Sequence, residues 1–394
     1  MKLLSFDWET TCKEANNYGH PFDSRNRAVY LSCFDGQSNN SFWFSHTCRE
    51  PSDNTNCSRI FGSNYDFYVA FNAKFDMHWL RRETGRQLPF GRVWCCQVAE
   101  YALTRQTNKM PSLDDALNRY GLKQKLNVVK TEYWDKGIDT DIIPPNILSE
   151  YGDWDAKQTY HLAELQIAEA KAHGMYEMIR ISCCDLIILA EMEWNGMVYD
   201  VNKSNQLARE TQEKIREIDE SLQSLVGDSL GVVSFDSPHN ISAVLFGGVV
   251  KYTEPYVHVF KNGKSKVRKR PMEKVFDRII EPPELAKLPS TDQYYSTSVN
   301  VMNLLCKQKL DKFQRHLLDL LLERSKLEQL RGTYYVGIPK LFDEMGWKDG
   351  IIHHTLNQTI AVTGRLSSSK PNLQNQSIDS KQCFISRFMN ELTT

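Results

Sequence analysis

Lys2-Leu3-Leu4-Ser5-Phe6-Asp7-Trp8-Glu9-Thr10 is a short apolar run broken by two acids two positions apart. An extended chain alternates its side chains, so Asp7 and Glu9 share one face of the strand this run predicts. Ala28–Phe34 and Phe67–Phe71 are further apolar runs, and Ser41–Ser45 alternates around aromatic residues; all three read as strands. After Phe71, Asn72 is placed to cap a helix over 73–83, in which Phe75, Trp79 and Leu80 recur at helical spacing and Asp76 falls near the first turn. Ser112–Tyr120 predicts a second helix, with Asp115 three residues after Ser112. Asn146–Lys171 predicts a longer one behind Pro144-Pro145. On it Tyr151 and Asp155 are four apart and share a face. The alternation of strands and helices over residues 1–185 predicts an α/β domain.

At 394 residues, the chain is long enough for two or three domains. The 48 basic and 49 acidic residues nearly cancel, which excludes a basic coat over the whole molecule but not a local basic face. No apolar run approaches the roughly 20 residues of a spanning helix, so no membrane is expected as a partner. The N-terminus turns acidic at Asp7 before a signal-peptide core could form. Ten cysteines occur without a C-x-x-C pair, and the expectation is reduced thiols in the cytoplasm. His46, Cys48 and Cys57 match no standard zinc spacing.

From Asp185 the texture changes. Ile187–Trp194, Asn202–Leu225 and Leu310–Tyr335 read as helices. Tyr256–Phe260 and Ser265–Arg270 flank Asn262-Gly263, a strong hairpin signal. Lys261, Lys264, Lys266, Arg268, Lys269 and Arg270 lie between Phe260 and Pro271 with no acid among them, a pattern suited to phosphate contact. This middle region, 186–345, is expected to be a helical module carrying a basic hairpin. Residues 346–394 are richer in Ser, Asn, Gln and Thr.

Asp7, Glu9, Asp76 and Asp155 come from three separated segments, all near element ends, where they could meet at one end of a sheet. Phosphodiester hydrolysis calls for such a set. Two divalent ions deprotonate the attacking water and stabilise the leaving oxygen, and hard cations prefer carboxylate oxygens. A tyrosine hydroxyl beside them can orient the water without binding metal.

Phe6-Asp7-Trp8-Glu9-Thr10, Phe71-Asn72-Ala73-Lys74-Phe75-Asp76 and Tyr151-Gly152-Asp153-Trp154-Asp155 resemble the three motifs of the DEDDy 3′–5′ exonucleases. The resemblance implies a ribonuclease-H-like fold. It also implies Asp7, Glu9, Asp76 and Asp155 as ligands of two Mg²⁺ ions, with Mn²⁺ as a substitute, and Tyr151 as the residue that positions the water.

Near the C-terminus, Thr363-Gly364-Arg365-Leu366-Ser367-Ser368 runs on to Pro371-Asn372-Leu373-Gln374-Asn375. Arg, Asn and Gln can donate to the adenine N3 and thymine O2 acceptors of the minor groove in either A·T orientation. This string is similar to the motif that opens the palm of family A DNA polymerases, the polymerase I and phage group. It implies that Arg365, Asn372, Gln374 and Asn375 grip the primer–template duplex. Glu193–Asp200 resembles that family's junction into the thumb, and 237–248 and Ser290-Thr291-Asp292 resemble its thumb segments. The expected fold class is therefore an α/β ribonuclease-H-like exonuclease domain (1–185), a mainly helical thumb (186–345) and an incomplete palm (346–394).

The palm aspartates and the fingers motif of that family do not occur in this sequence. Phe384-Ile385-Ser386-Arg387-Phe388 resembles the approach to the first of them. The expected arrangement is the front of a phage-type replicative polymerase in an infected bacterial cytoplasm, proofreading and holding DNA but not extending a primer alone. A second polypeptide would carry the remaining palm and the fingers. A processivity factor is a further partner the hairpin could take. The alternatives are a stand-alone DEDDy exonuclease and a non-catalytic DNA-binding remnant of an interrupted gene. The run Cys383-Phe384-Ile385, with Phe388 and Met389, is expected to leave apolar surface open for a partner.

Overall fold

The computed structural model describes residues 1–52, 54–228, 231–259, 264–287 and 294–386. It divides into two compact units, Met1–Val201 with Ile338–Thr394, and Asn202–Gly337. The first unit holds a five-stranded sheet. Its strands are β1 (Leu3–Thr10), β2 (Ala28–Phe34), β3 (Asn39–Trp43), β4 (Phe67–Ala70) and β5 (Val93–Cys95), in the spatial order β3-β2-β1-β4-β5. β2 and β3 run antiparallel to their neighbours, while β4 and β5 are parallel to β1. The sheet is therefore mixed. β2 is buried along its whole length, as its unbroken apolar run predicts. β3 begins two residues earlier than Ser41, because Asp35 closes the preceding turn by accepting from the N–H groups of Gln37 and Ser38, both at 2.9 Å.

The helices of this part are α1 (Asn54–Phe61), α2 (Ala73–Thr84), α3 (Cys96–Leu103), α4 (Leu113–Arg119), α5 (Val128–Glu132), α6 (Pro145–Ala172) and α7 (Tyr176–Asn195). α4 opens on a reciprocal capping box between Ser112 and Asp115, which satisfies two otherwise unpaired donors. Asn72 precedes α2, but its side chain makes no capping hydrogen bond; its carbonyl accepts from Phe75 N at 2.9 Å instead. α6 is the central helix, fixed to β1 by Ser5 Oγ, which donates to Ala156 O at 2.7 Å.

α7 runs straight through the expected break at 185. Its inner residues Ile179, Cys183, Leu186, Leu189 and Ala190 are buried, so the helix packs as one piece with the first unit. β6 (Met197–Tyr199) follows.

The second unit begins one residue into α8 (Val201–Leu225). It continues with α9 (Pro238–Phe246), a long antiparallel ribbon of β7 (Gly248–Val259) and β8 (Ser265–Phe276), α10 (Val299–Leu305) and α11 (Lys312–Gln329). The ribbon is roughly twice as long as the sequence reading gave it. Phe260, Lys261 and the Asn262-Gly263 turn lie outside the described residues, as do Ser290, Thr291 and Asp292. The unit's own core gathers Leu222, Phe235, Val244, Leu245, Leu317 and Leu321. Arg324 is buried there, donating to Asp219 at 2.5 Å, to Asp236 at 2.6 Å and to the Phe235 carbonyl at 3.1 Å.

The chain then returns to the first unit through α12 (Gly337–Met345), β9 (Ile351–Ile352), β10 (Thr355–Asn357), β11 (Ser367–Ser369) and β12 (Phe384–Ile385). β6 lies between β12 and β9. Phe342 of α12 lies 6.3 Å from the Tyr199 ring, so α12 joins this unit rather than the middle region. The expected open apolar surface is largely closed by the chain itself: Cys383 is buried and Phe384 packs edge-on against Tyr199 at 5.1 Å. Ile385 stays exposed, and Arg387, Phe388 and Met389 lie outside the described residues.

Candidate active site

β1 is the middle strand, and Asp7 and Glu9 project from the same side of it toward α6. The two helical motif residues meet them because α6 is held in one rotation. Asp153 Oδ1 accepts from Tyr30 Oη at 2.8 Å, Ser32 Oγ at 2.7 Å and Ser41 Oγ at 2.9 Å. That anchors one face of α6 on β2 and β3 and turns Tyr151 and Asp155 toward β1. Gly152 allows the close approach: a Cβ there would stand 3.1 Å from the Tyr30 ring and 3.6 Å from Glu9 Cγ.

The result is a cluster in which Asp7, Glu9 and Asp155 each place a carboxylate oxygen within 4.8 Å of the others. No second cluster of three His, Cys, Asp or Glu ligand atoms occurs among the described residues. Asp76 is placed beside it. From the first turn of α2 its Oδ1 accepts from Trp8 N at 3.2 Å, the backbone position between Asp7 and Glu9. Glu9 is 6% exposed, Asp76 3% and Asp155 2%. Tyr151 is buried, with its ring edge-on to Trp134 at 5.6 Å.

Three buried acids and the half-buried Asp7 in so small a volume disfavour ionisation. Burial, followed by the charge of Asp155, pushes Asp7 up to about 7. Burial raises Glu9 well above the usual carboxylate range, with Asp7 and Asp155 adding to it. Burial and then Asp7 raise Asp76. Asp155 is raised by burial against the opposing pull of Lys125. Tyr151 is raised by burial and then by Glu9 and Asp155, so its hydroxyl keeps its proton at neutral pH.

The sequence reading missed one residue of this site. Lys125 Nζ stands 2.6 Å from Asp155 Oδ2 and 5.2 Å from the centre of the Tyr151 ring. Burial would lower its pKa, but Asp155, Tyr151 and Asp7 outweigh that and raise it. Lys125 sits in the non-helical segment between α4 and α5, and nothing in the spacing of Gly121-Leu122-Lys123-Gln124-Lys125 marks it. The donors are hard carboxylate oxygens, and Asp155 Oδ1 is buried without a hydrogen-bond partner. This donor set fits divalent Mg²⁺ or Mn²⁺.

The other expected site residues lie elsewhere. Arg365, Asn372, Gln374 and Asn375 are exposed in the C-terminal part of the first unit, where Asn372 Oδ1 accepts from Gln374 N at 3.1 Å. In the second unit, Lys264 precedes β8, and Lys266, Arg268, Lys269 and Arg270 are exposed along it. The ladder divides them. Arg270 reaches Glu254, directly opposite, at 2.5 Å, so it is an ion-pair partner within the ribbon.

A further cluster ties α2 to the returning C-terminal segment. Glu193 Oε1 accepts from Lys74 Nζ at 2.5 Å and from Leu356 N at 2.6 Å, and Glu193 Oε2 lies 2.9 Å from His78 Nε2. Lys74 also donates to the Leu356 carbonyl. Nearby, Phe22 stacks flat on His353 with ring centres 4.0 Å apart. The sequence reading placed Lys74 and Glu193 within family-like strings but gave them no role.

Known proteins bear on both units. The model of the family described as DNA polymerase family A matches residues 201–389. The DNA polymerase I of Bacillus subtilis (strain 168) is 26% identical over 253 residues, 64% of this chain and 24% of that protein. The DNA polymerase I of Synechocystis sp. is 28% identical over 315 residues, 78% of this chain and 26% of that protein. The solved POL domain of Pol1 from M. smegmatis, in complex with DNA primer-template and dNTP, aligns with 96% of this chain and 53% of its own, at a TM-score of 0.65 and 22% identity. The chain thus shares its fold with a polymerase I domain and is related to the family A DNA polymerases. It spans about a quarter of the length of the two curated relatives.

Proposed function

We propose that this chain supplies the metal-dependent 3′–5′ exonuclease and part of the DNA-holding surface of a polymerase I-like family A DNA polymerase. The observation that carries the reading is the meeting of Asp7, Glu9 and Asp155 within 4.8 Å, with Asp76 and Tyr151 beside them. The mixed sheet with α6 across it supports a ribonuclease-H-like exonuclease domain.

Asp7, Glu9, Asp76 and Asp155 would hold the ions. When bound, Mg²⁺ or Mn²⁺ supplies a deprotonated water and stabilises the leaving oxygen. The chain's own groups do the rest. Tyr151, protonated at neutral pH, donates a hydrogen bond and orients the attacking water rather than removing its proton. The charges of Glu9 and Asp155, added to burial, keep the Tyr151 hydroxyl protonated. Lys125 balances the charge of Asp155 and gives the site a cation of its own. Burial of the acids keeps bulk water out and strengthens each of these interactions.

Arg365, Asn372, Gln374 and Asn375 present donors to duplex DNA in this reading, and Lys264, Lys266 and Arg268 contact phosphates. Nucleotidyl transfer draws on aspartates outside residues 1–394. A further segment of the same protein or a second polypeptide would carry them, with a processivity factor as a further partner.

The test is release of mononucleotides from a 3′-labelled oligonucleotide in Mg²⁺ or Mn²⁺. Asp7→Ala with Glu9→Ala should abolish it. Release that survives the double change, or that needs no metal, would overturn the assignment. Mixing with a polypeptide carrying the palm and fingers should restore primer extension. Failure of every such candidate would leave the exonuclease standing and remove the two-chain arrangement.

A further inference from the structure

The two arms of the ribbon pair in one unbroken register, from Gly248 opposite Phe276 to Val259 opposite Ser265. Directly opposed residues share a face, so the register sorts the ribbon's side chains into two sets. One face carries Tyr252, Tyr256 and His258 from β7, with Lys266 opposite His258 and Arg268 opposite Tyr256. The other carries Val257 opposite Val267, with Val259 and Lys269 beside them. The sequence alone shows six cations and no acid around the turn; the register shows that they are not equivalent.

Charge falls unevenly on the two faces. Arg270 on the first face pairs with Glu254, and Lys251 on the second lies 3.8 Å from Glu273. Beyond Glu254 toward the turn, neither face carries an acid. There the first face sets two rings on β7, Tyr256 and His258, 6.4 Å apart and edge-on at 87°, beside two cations on β8, Arg268 and Lys266, each directly opposite one ring. The second face has Lys269 among valines, with Val257 63% and Val267 65% exposed.

We infer that the face bearing Tyr252, Tyr256, His258, Lys266 and Arg268 is a track for single-stranded DNA. This rests on the DNA-holding part of the proposed function. A row of rings beside a row of cations matches a single strand, which carries its bases on one side and its phosphates on the other. A ring can lie against a base only where that base's flat face is uncovered, which a stacked duplex does not offer and a single strand does. Among the described residues beyond Glu254, the valine face carries one cation, Lys269, and no aromatic ring.

The experiment measures fluorescence anisotropy of a labelled oligo-dT and of a blunt duplex of equal length, with the full chain in EDTA so that neither probe is degraded. Tyr256→Ala should weaken oligo-dT binding at least about fivefold and change duplex binding less than about twofold. Lys266→Gln with Arg268→Gln should reduce the slope of log K against log salt for oligo-dT by about 1.4, the contribution of two single-strand phosphate contacts. Lys269→Gln, one charge removed from the other face, should change oligo-dT binding less than about twofold. The inference is overturned if Lys269→Gln costs as much as Lys266→Gln, if Tyr256→Ala leaves oligo-dT affinity intact, or if the unaltered chain does not bind oligo-dT. Mononucleotide release in Mg²⁺, measured on the same preparations, separates the two readings. Lost nuclease with these ribbon effects intact counts against the exonuclease alone, and intact nuclease with indifferent ribbon variants counts against the track alone.

Discussion

Lys125 Nζ lies 2.6 Å from Asp155 Oδ2, so the acid cluster already contains a cation contributed by the chain. Asp155 is buried and Lys125 is about a quarter exposed. Lys125→Met should lower the stability of the metal-free protein by about 1–3 kcal/mol, below the full value for a wholly buried pair because water reaches the lysine. It should also lower the Mg²⁺ concentration for half-maximal thermal stabilisation, since a competing positive charge is gone. Chemical denaturation in EDTA and a Mg²⁺ titration of Tm check the two parts. A higher Mg²⁺ requirement would show that Lys125 assists the ions rather than competing with them.

Gly152 admits α6 to the strand pair it crosses. The Tyr30 ring that a Cβ would meet at 3.1 Å is itself buried and cannot swing away. Gly152→Ala should cost about 1–3 kcal/mol by overpacking. Because the displaced helix carries Tyr151 and Asp155, mononucleotide release should fall about tenfold to a hundredfold. Urea unfolding beside a nuclease assay separates the two effects. Unchanged release would mean that α6 does not set the site's geometry.

The raised acids give the metal-free protein a pH signature. A group whose pKa is higher in the folded state stabilises below its unfolded value and loses that contribution as pH rises through its folded value. For Asp7 that loss runs from the ordinary carboxylate range to about 7, and Glu9 and Asp76 shift in the same direction. In EDTA, Tm should therefore fall between about pH 5 and pH 8. The gain in Tm on adding Mg²⁺ should be larger at pH 8 than at pH 5. A gain independent of pH would detach metal binding from these carboxylates.

Glu193 behaves in the opposite sense. Burial alone would raise its pKa, yet the His78 hydrogen bond and the charges of Lys74 and His78 hold it below the usual glutamate value. Its contribution to stability is present above about pH 4.5 and is lost as pH falls through its lower folded value. Glu193→Gln should destabilise by about 3 kcal/mol at neutral pH by leaving Lys74 buried without its counter-charge. The difference from the unaltered protein should shrink in acid. Thermal melts at pH 7 and pH 3.5 measure it.

The sequence disclosed most of the first sheet because its strands are buried or clearly alternating. β2 is where the apolar run placed it, and Ser112 and Asp115 form the expected cap. β5 and α3 were missed because Val93–Leu103 is apolar but for Gln97 and Glu100 and only eleven residues long, which gives neither period a chance to show. α7 was cut at 185 because its first half exposes Met178 and Ile181 while Ile179 and Cys183 face inward, so apolar residues on both faces blur the helical stripe. The motif acids were legible because a strand and a helix fix which residues share a face. Lys125 was not, because a loop residue reaches a site through the path of the backbone, which spacing does not encode.

The returning segment has a consequence for how the chain folds. Residues 202–337 form a continuous unit, complete as soon as they leave the ribosome. The first unit is interrupted: β6 waits for Ile351-Ile352 on one edge and Phe384-Ile385 on the other, and Glu193 waits for Leu356. Its opening two hundred residues must hold a partly finished surface while the insertion is synthesised, then close a loop of about 150 residues, an entropic delay that grows only slowly with loop length. During that interval the unpaired edges of β6 are exposed to other nascent chains. Slower synthesis through the insertion lengthens that exposure, and faster synthesis shortens it.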